Sequence, residues 1–87
     1  MSRTDQYPRH LRRIDPAQNM RRFYLLALQP TLFGGASVVR TWGRIGTSGQ
    51  TMMETFDQPD AADAAFDLLE RRKRRRGYQD AERSRGG

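Results

Sequence analysis

The chain contains no cysteine, and among its 87 residues there is one histidine, one tryptophan and one lysine. Without cysteine there is neither a disulfide framework nor a thiolate metal site, and no need of an oxidising compartment. The single imidazole, His10, lies in a weakly patterned stretch. Ser37 and Ser48 stand in no register with it and a carboxylate, so triad chemistry is not expected. Long apolar runs are missing too. The longest, Phe23 to Leu28, is six residues, against the ~20 needed to cross a membrane as a helix. The opening "MSRTDQYPRH" has no apolar stretch behind its arginine and does not read as a signal peptide. These absences predict a soluble, non-enzymatic protein with no metal, no cofactor and no membrane association. The expected location is the cytoplasm, or the nucleoid in a bacterium.

What the chain does have is positive charge. Sixteen basic against ten acidic residues give a net charge of +6 and a pI near 11.0, which points to a polyanionic partner. Fifteen of the sixteen cations are arginine. Arginine forks onto phosphate oxygens and stacks on flat rings, as lysine does not. A GC-rich coding bias accounts for the choice of Arg over Lys but not for the net charge.

A chain this short holds one domain and buries only about 60% of its unfolded surface. Residues 1–8 and 79–87 are polar without periodicity and are expected to be disordered tails around a domain at 9–78. Inside it, "HLRRID" is a weak strand candidate, followed by turn residues in "PAQNM". "RFYLLAL" (Arg22 to Leu28) is apolar on both alternations, as in a central strand covered on both sides. Pro30 and the Gly34–Gly35 pair end it. "ASVVRTWGRI" and "QTMMETF" read as two strands joined by a "GTSG" hairpin, with Gly43, Gly46 and Gly49 as structural turn residues. Three-residue glycine spacing without a following Lys-Ser/Thr and helix is not a nucleotide-binding loop. In "DAADAAFDLLERRKRRRG", Asp60 is the expected cap and Gly77 the residue after the helix. Ala61, Ala62, Ala65, Phe66, Leu68 and Leu69 form its apolar stripe. Asp63, Asp67 and Glu70 read as its solvated face rather than a metal site. The expected fold is α+β: a small antiparallel sheet of about four strands with one C-terminal helix across a face.

Alternation puts Val38, Arg40, Trp42 and Arg44 on one face of their strand and Val39, Thr41, Gly43 and Ile45 on the other. The second set is small and apolar and is expected beneath the helix, with Gly43 leaving room for Leu69 or Phe66. The first set is then expected to look outward. Two uses of that face remain open. An indole can stack on a base or ribose while Arg40 and Arg44 hold phosphates, or an arginine can simply cover a half-buried ring.

The run "WGRIGTSGQT", preceded by "NMRRFYLLAL" and followed by the acid-led helix, resembles the WGR domain. This module is found in DNA-damage-responsive poly(ADP-ribose) polymerases and in small bacterial proteins, and the resemblance covers roughly His10 to Tyr78. It implies contact with DNA near strand-break ends. By motif position, Trp42 would pack on the terminal nucleotide, and Arg44 would touch DNA and neighbouring domains. The catalytic domain and zinc fingers that accompany the module in the polymerases have no counterpart in this sequence. "RRKRRR" (Arg71, Arg72, Lys73, Arg74, Arg75, Arg76) adds six consecutive cations, more than the helix dipole needs, and reads as a phosphate-binding extension. Arg12, Arg13, Arg21 and Arg22 form two further pairs of unassigned face. The expected partner is nucleic acid, DNA ahead of RNA. The alternative is a protein-interaction or adaptor module of a repair or regulatory complex, and self-association through an open sheet edge is a third reading.

Overall fold

The computed structural model describes residues 8–81. The chain runs β1 (Arg9–Asp15), a single 3-10 turn (Pro16–Gln18), β2 (Met20–Pro30), β3 (Ala36–Arg44), β4 (Gln50–Phe56), α1 (Pro59–Arg75) and β5 (Gln79–Asp80). The five strands form one antiparallel sheet in the order β4-β3-β2-β1-β5. A helix on one face of an antiparallel sheet is the α+β architecture the sequence predicts. Among the described residues no helix is long and apolar enough to cross a membrane.

Strand β2 occupies the centre because both of its alternations are apolar. It pairs with β1 along seven residues and with β3 along nine. Leu11 of β1, Tyr24 and Leu26 of β2 and Val38 of β3 lie on the helix-facing side of the sheet and are buried at 0–2% exposure. Helix α1 meets them with Ala62 and Phe66, both buried, and with Ala65 and Leu69 at the margin. Two small residues on the helix stripe let the backbone approach a sheet that supplies the large side chains. Ala61 and Leu68, placed on the apolar stripe by helical angle, are exposed.

The start of the helix differs from expectation, and its end, with Gly77 as the residue after the cap, agrees with it. The N-cap is Gln58, not Asp60, and it makes no side-chain cap bond. Pro59 takes the first helical position, where its missing N–H is no loss and its fixed φ suits the helix. Asp60 therefore sits inside the first turn, where its charge still complements the dipole. At the other end Arg76 is the C-cap, and Gly77 follows at φ +99°, the left-handed conformation that glycine adopts freely.

The chain stays in the fold beyond Gly77. Tyr78 and Ala81 are buried, and Gln79 and Asp80 pair with Arg12 and Leu11. Residues 79–81, expected in the C-terminal tail, are thus part of the fold, and the rest of the two expected tails, residues 1–7 and 82–87, lies outside the described part. Two residues are too short for a periodicity to register. Arg74 secures this last strand. Its Nη2 donates to Asp80 Oδ1 at 2.7 Å and to Glu70 Oε2 at 2.9 Å, and its Nε to the same Glu70 oxygen at 3.0 Å. Arg9 Nε lies 3.3 Å from Glu70 Oε2. Removing this clamp with Arg74→Ala is expected to free β5 and lower stability by roughly 1–2 kcal/mol, measurable as early exchange of the Ala81 amide, which bonds to the His10 carbonyl.

Candidate nucleic-acid interface

The side of β3 that carries Trp42 is the side the helix covers. Trp42 stands opposite Tyr24, Arg40 opposite Leu26, and Val38 opposite Leu28, and Tyr24, Leu26 and Val38 are core residues. The expectation that Trp42, Arg40 and Arg44 look away from the helix is therefore corrected. The alternation is right and the choice of face is reversed. Val39, Thr41 and Gly43 occupy the uncovered face, and Ile45 falls just past the end of β3, in the turn. There the space above Gly43 belongs to its own sheet, with Gly49 and the ring of Phe23 meeting a Cβ built at Gly43. Neither Leu69 nor Phe66 approaches from that side. The hairpin itself turns at Thr47, whose N–H and Oγ1 both donate to the Arg44 carbonyl at 3.0 and 2.7 Å.

The helix does not seal Trp42 in. It packs over β2, β3 and β4, and its last turn leaves a cleft between itself and the Arg22 and Arg44 ends of β2 and β3. Trp42 is half-buried, packed on the edge of the core. The cleft in front of it, about 480 Å³, is lined by Arg22, Trp42, Gly43, Arg44, Lys73 and Tyr78. A second depression of about 420 Å³ continues along the helix end between Arg40, Leu69, Arg72, Lys73, Arg75 and Arg76. A small hollow of about 190 Å³ joins them between Tyr24, Arg40, Trp42, Met52 and Lys73.

Arg40 settles beside the indole. Its guanidinium carbon is 5.7 Å from the Trp42 ring centroid, and Nη2 lies 2.8 Å from the Met52 sulfur. The covering-arginine geometry is thus present, and it takes one side of the indole while the rest borders the cleft. Arg22 and Arg44 are directly opposite one another on β2 and β3. Like charges facing across an antiparallel pair repel. No carboxylate among the described residues pairs with Arg22, Arg40, Arg44, Arg72, Lys73, Arg75 or Arg76. Glu70 pairs with Arg74 and with Arg9 of β1, and Asp80 of β5 pairs with Arg74. The cleft is therefore a concave ring of uncompensated cations around an aromatic edge, and a bound anion would relieve the repulsion within it.

Of the "RRKRRR" run, the clefts gather Arg72, Lys73, Arg75 and Arg76. Arg74 serves the clamp, and Arg71 is exposed and lines none of the three depressions. Lys73 is the residue whose part the sequence hid. Positions 62, 66, 69 and 73 follow one another down the sheet-facing stripe, so the stripe runs one turn past Leu69. The slender lysine stem occupies that last inward place and lays Nζ 4.6 Å from the Tyr24 ring centroid and 5.4 Å from that of Tyr78. One clue was available: a chain that writes arginine fifteen times keeps a lysine at this position alone.

Burial pushes the Lys73 ammonium below its ordinary pKa, and Arg76, Arg40 and Arg22 push in the same direction. A lysine whose folded pKa is depressed binds fewer protons folded than unfolded, so stability rises as pH climbs through that window. Thermal melts are expected to shift upward as pH climbs toward the ordinary lysine value from below, and Lys73→Met is expected to flatten that rise. Above it, Tyr24 acts oppositely. Burial raises its phenol pKa, with Arg40 partly offsetting, so the folded state resists ionisation and loses stability once the unfolded phenol ionises.

The Tyr24 hydroxyl is buried and no partner meets it in good hydrogen-bond geometry. Arg40 comes near enough to act on the phenol but is not aligned to satisfy it, so the group carries part of the roughly 1–3 kcal/mol cost of a buried unpaired hydroxyl. Tyr24→Phe is expected to be neutral or to raise stability by up to about 1 kcal/mol, checked by chemical denaturation.

Among the described residues no cluster of His, Asp and Glu is placed to hold a metal ion. The sequence profile of the WGR domain matches residues 7–85. An uncharacterized protein, y4dW, of Sinorhizobium fredii (strain NBRC 101917 / NGR234), is 45% identical over 73 residues, which cover 84% of this chain and 36% of the relative. This chain therefore spans about a third of that relative's length. No solved structure matches.

Proposed function

The chain belongs to the WGR domain family, and on that premise we propose that it is a nucleic-acid-binding module, with DNA as the preferred partner. The supporting observation is the cleft in which Trp42 borders Arg22, Arg44 and Lys73 while no acidic side chain among the described residues neutralises them. Phosphates enter between the cation pairs, and a base or sugar lies against the free edge of Trp42, next to Tyr78. Arg72, Arg75 and Arg76 extend the contact along the backbone of the nucleic acid without reading its sequence.

A titration with nicked and blunt duplexes at several salt concentrations tests the reading. Five to six phosphate contacts give a log–log salt slope of roughly −5. The single tryptophan is also a built-in reporter, and its emission is expected to fall when a base stacks beside it. Affinity that does not respond to salt would overturn the proposal.

One observation favours a second reading, that of an adaptor for a repair or regulatory protein. Leu32 and Phe33 at the tip of the β2–β3 hairpin are 96% and 94% exposed, on a turn held by Thr31 N–H to Gly35 O (3.0 Å) and Gly35 N–H to Thr31 Oγ1 (3.1 Å). This tip is at the far end of the strands from the cleft. Partner retention that survives nuclease but is lost in a Leu32→Ser, Phe33→Ser variant would favour the adaptor role.

A further inference from the structure

Strand β4 is an unguarded sheet edge. Its seven residues pair with β3 in unbroken register from Trp42↔Gln50 to Ala36↔Phe56, with no bulge, and residues 50–55 are all exposed. Edge strands are ordinarily protected by proline, lysine, short length or a bulge. "QTMMETF" has none of these, and Glu54 is its only charge. The opposite edge is protected: β5 is two residues long, and β1 beside it carries Arg9, Arg12 and Arg13. The free N–H and C=O groups of β4 are thus a ready template for another strand.

We propose that the occupant is a second copy of this chain, paired β4 to β4 in antiparallel fashion around Met53, giving a continuous ten-stranded sheet. The strand is complementary to itself in that register. On the uncovered face Met53, 60% exposed, meets the second copy's Met53, and Thr51 meets its Thr55. On the helix face Met52 stands opposite the second copy's Glu54. Arg40 already reaches over Met52, with Nη2 2.8 Å from the sulfur. The guanidinium therefore lies one strand from an incoming carboxylate, and the two-fold symmetry creates that pair twice. The uncovered apolar face, with Leu25 and Val39 half-buried beside Met53, continues across the seam.

The two-fold axis stands perpendicular to the sheet, so both helices and both clefts fall on the same side. Trp42 is opposite Gln50, three residues along from Met53 and one strand inward. Strand rise and spacing put the two Trp42 Cα atoms roughly 25 Å apart. If the nucleic-acid reading holds, the dimer presents two clefts to one duplex and gains avidity without new contacts. The pairing itself does not depend on that reading.

Sedimentation velocity of the full chain, without nucleic acid, over a wide concentration range is expected to show a monomer–dimer equilibrium. Met53→Lys places like charges face to face at the axis and is expected to weaken the dimer at least about tenfold. Its thermal melt at low concentration should stay unchanged, since the side chain is exposed. Because the chain has no cysteine, Met53→Cys gives an independent readout: opposed Cα atoms in an antiparallel pair are close enough to bridge. It should crosslink to itself much faster than Leu32→Cys, a control at the exposed hairpin tip. Monomeric mass at every concentration would overturn the proposal. So would a dimer indifferent to Met53→Lys, or Met53→Cys crosslinking no faster than Leu32→Cys.

Discussion

Gly49→Ala is expected to lower the melting temperature by roughly 12–24 °C, a destabilisation of about 3 kcal/mol at 4–8 °C per kcal/mol for a domain of this size. Gly49 has φ +74°, a conformation that costs an L-residue roughly 1–2 kcal/mol. A Cβ there would also overlap the Trp42 carbonyl oxygen, and it would come within 2.8 Å of Phe23 Cζ and 3.0 Å of the Trp42 carbonyl carbon. Two of those atoms are backbone, so relief requires moving β3 itself, and overpacking of that kind adds about 1–3 kcal/mol. Gly46→Ala is the control. Its φ is +98°, but nothing lies within 4 Å of the added carbon, so it pays only the conformational part. Thermal melts followed by circular dichroism separate the two, and equal losses would refute the steric account. Because the displaced segment carries Trp42, Gly49→Ala is also expected to weaken binding in molecules that remain folded.

Trp42→Leu is expected to reduce nucleic-acid affinity by roughly 5- to 150-fold, the equivalent of 1–3 kcal/mol for a lost stacked base. Leucine retains apolar contact with the edge of the core, so the variant should stay folded, and it removes no charge, so the salt slope should not change. Arg22→Gln combined with Arg44→Gln should do the reverse to the slope, flattening it by about 1.8 for two lost phosphate contacts. The same double change removes a repulsive cross-strand pair and is expected to leave the free protein equally or more stable by up to about 1 kcal/mol. Stability that rises while affinity falls is the pattern of a site held under strain for its ligand. If both fell together, Arg22 and Arg44 would be structural residues. Anisotropy titrations beside denaturant melts give both quantities on the same preparations.

Periodicity and turn chemistry carried most of the architecture. The two-sided apolar run through Tyr24 and Leu26 marked the central strand, the Gly46–Gly49 segment marked the hairpin, and the Ala62–Phe66–Leu69 stripe marked the helix. Alternation also sorted Arg40, Trp42 and Arg44 correctly onto one face. Which face the helix would choose was not legible, because both sides of β3 offered apolar residues. The choice turned on cross-strand neighbours: Trp42 follows Tyr24 and Leu26 to the side where an alanine-rich helix leaves room for large side chains, and Phe23 fills the other side over Gly43. Register between strands is a tertiary property that no single window contains. The same holds for Arg74, which belongs to a clamp because Asp80 returns beside it, and for Lys73, whose inward position depends on the stripe outlasting its apolar residues. Arg22 appeared only as one of two arginine pairs, and its place opposite Arg44 required the β2–β3 register.

Among the described residues, Glu54, Asp57 and Asp60 stand with few cations where β4 ends and α1 begins, while at the opposite extremity Arg22, Arg44 and the last turn of the helix outnumber Asp15, Glu70 and Asp80. Such a molecule feels a torque near a polyanion. If nucleic acid is the partner, as proposed, the molecule would rotate during approach and present its tryptophan end first, raising the fraction of productive collisions at low ionic strength above that of random tumbling.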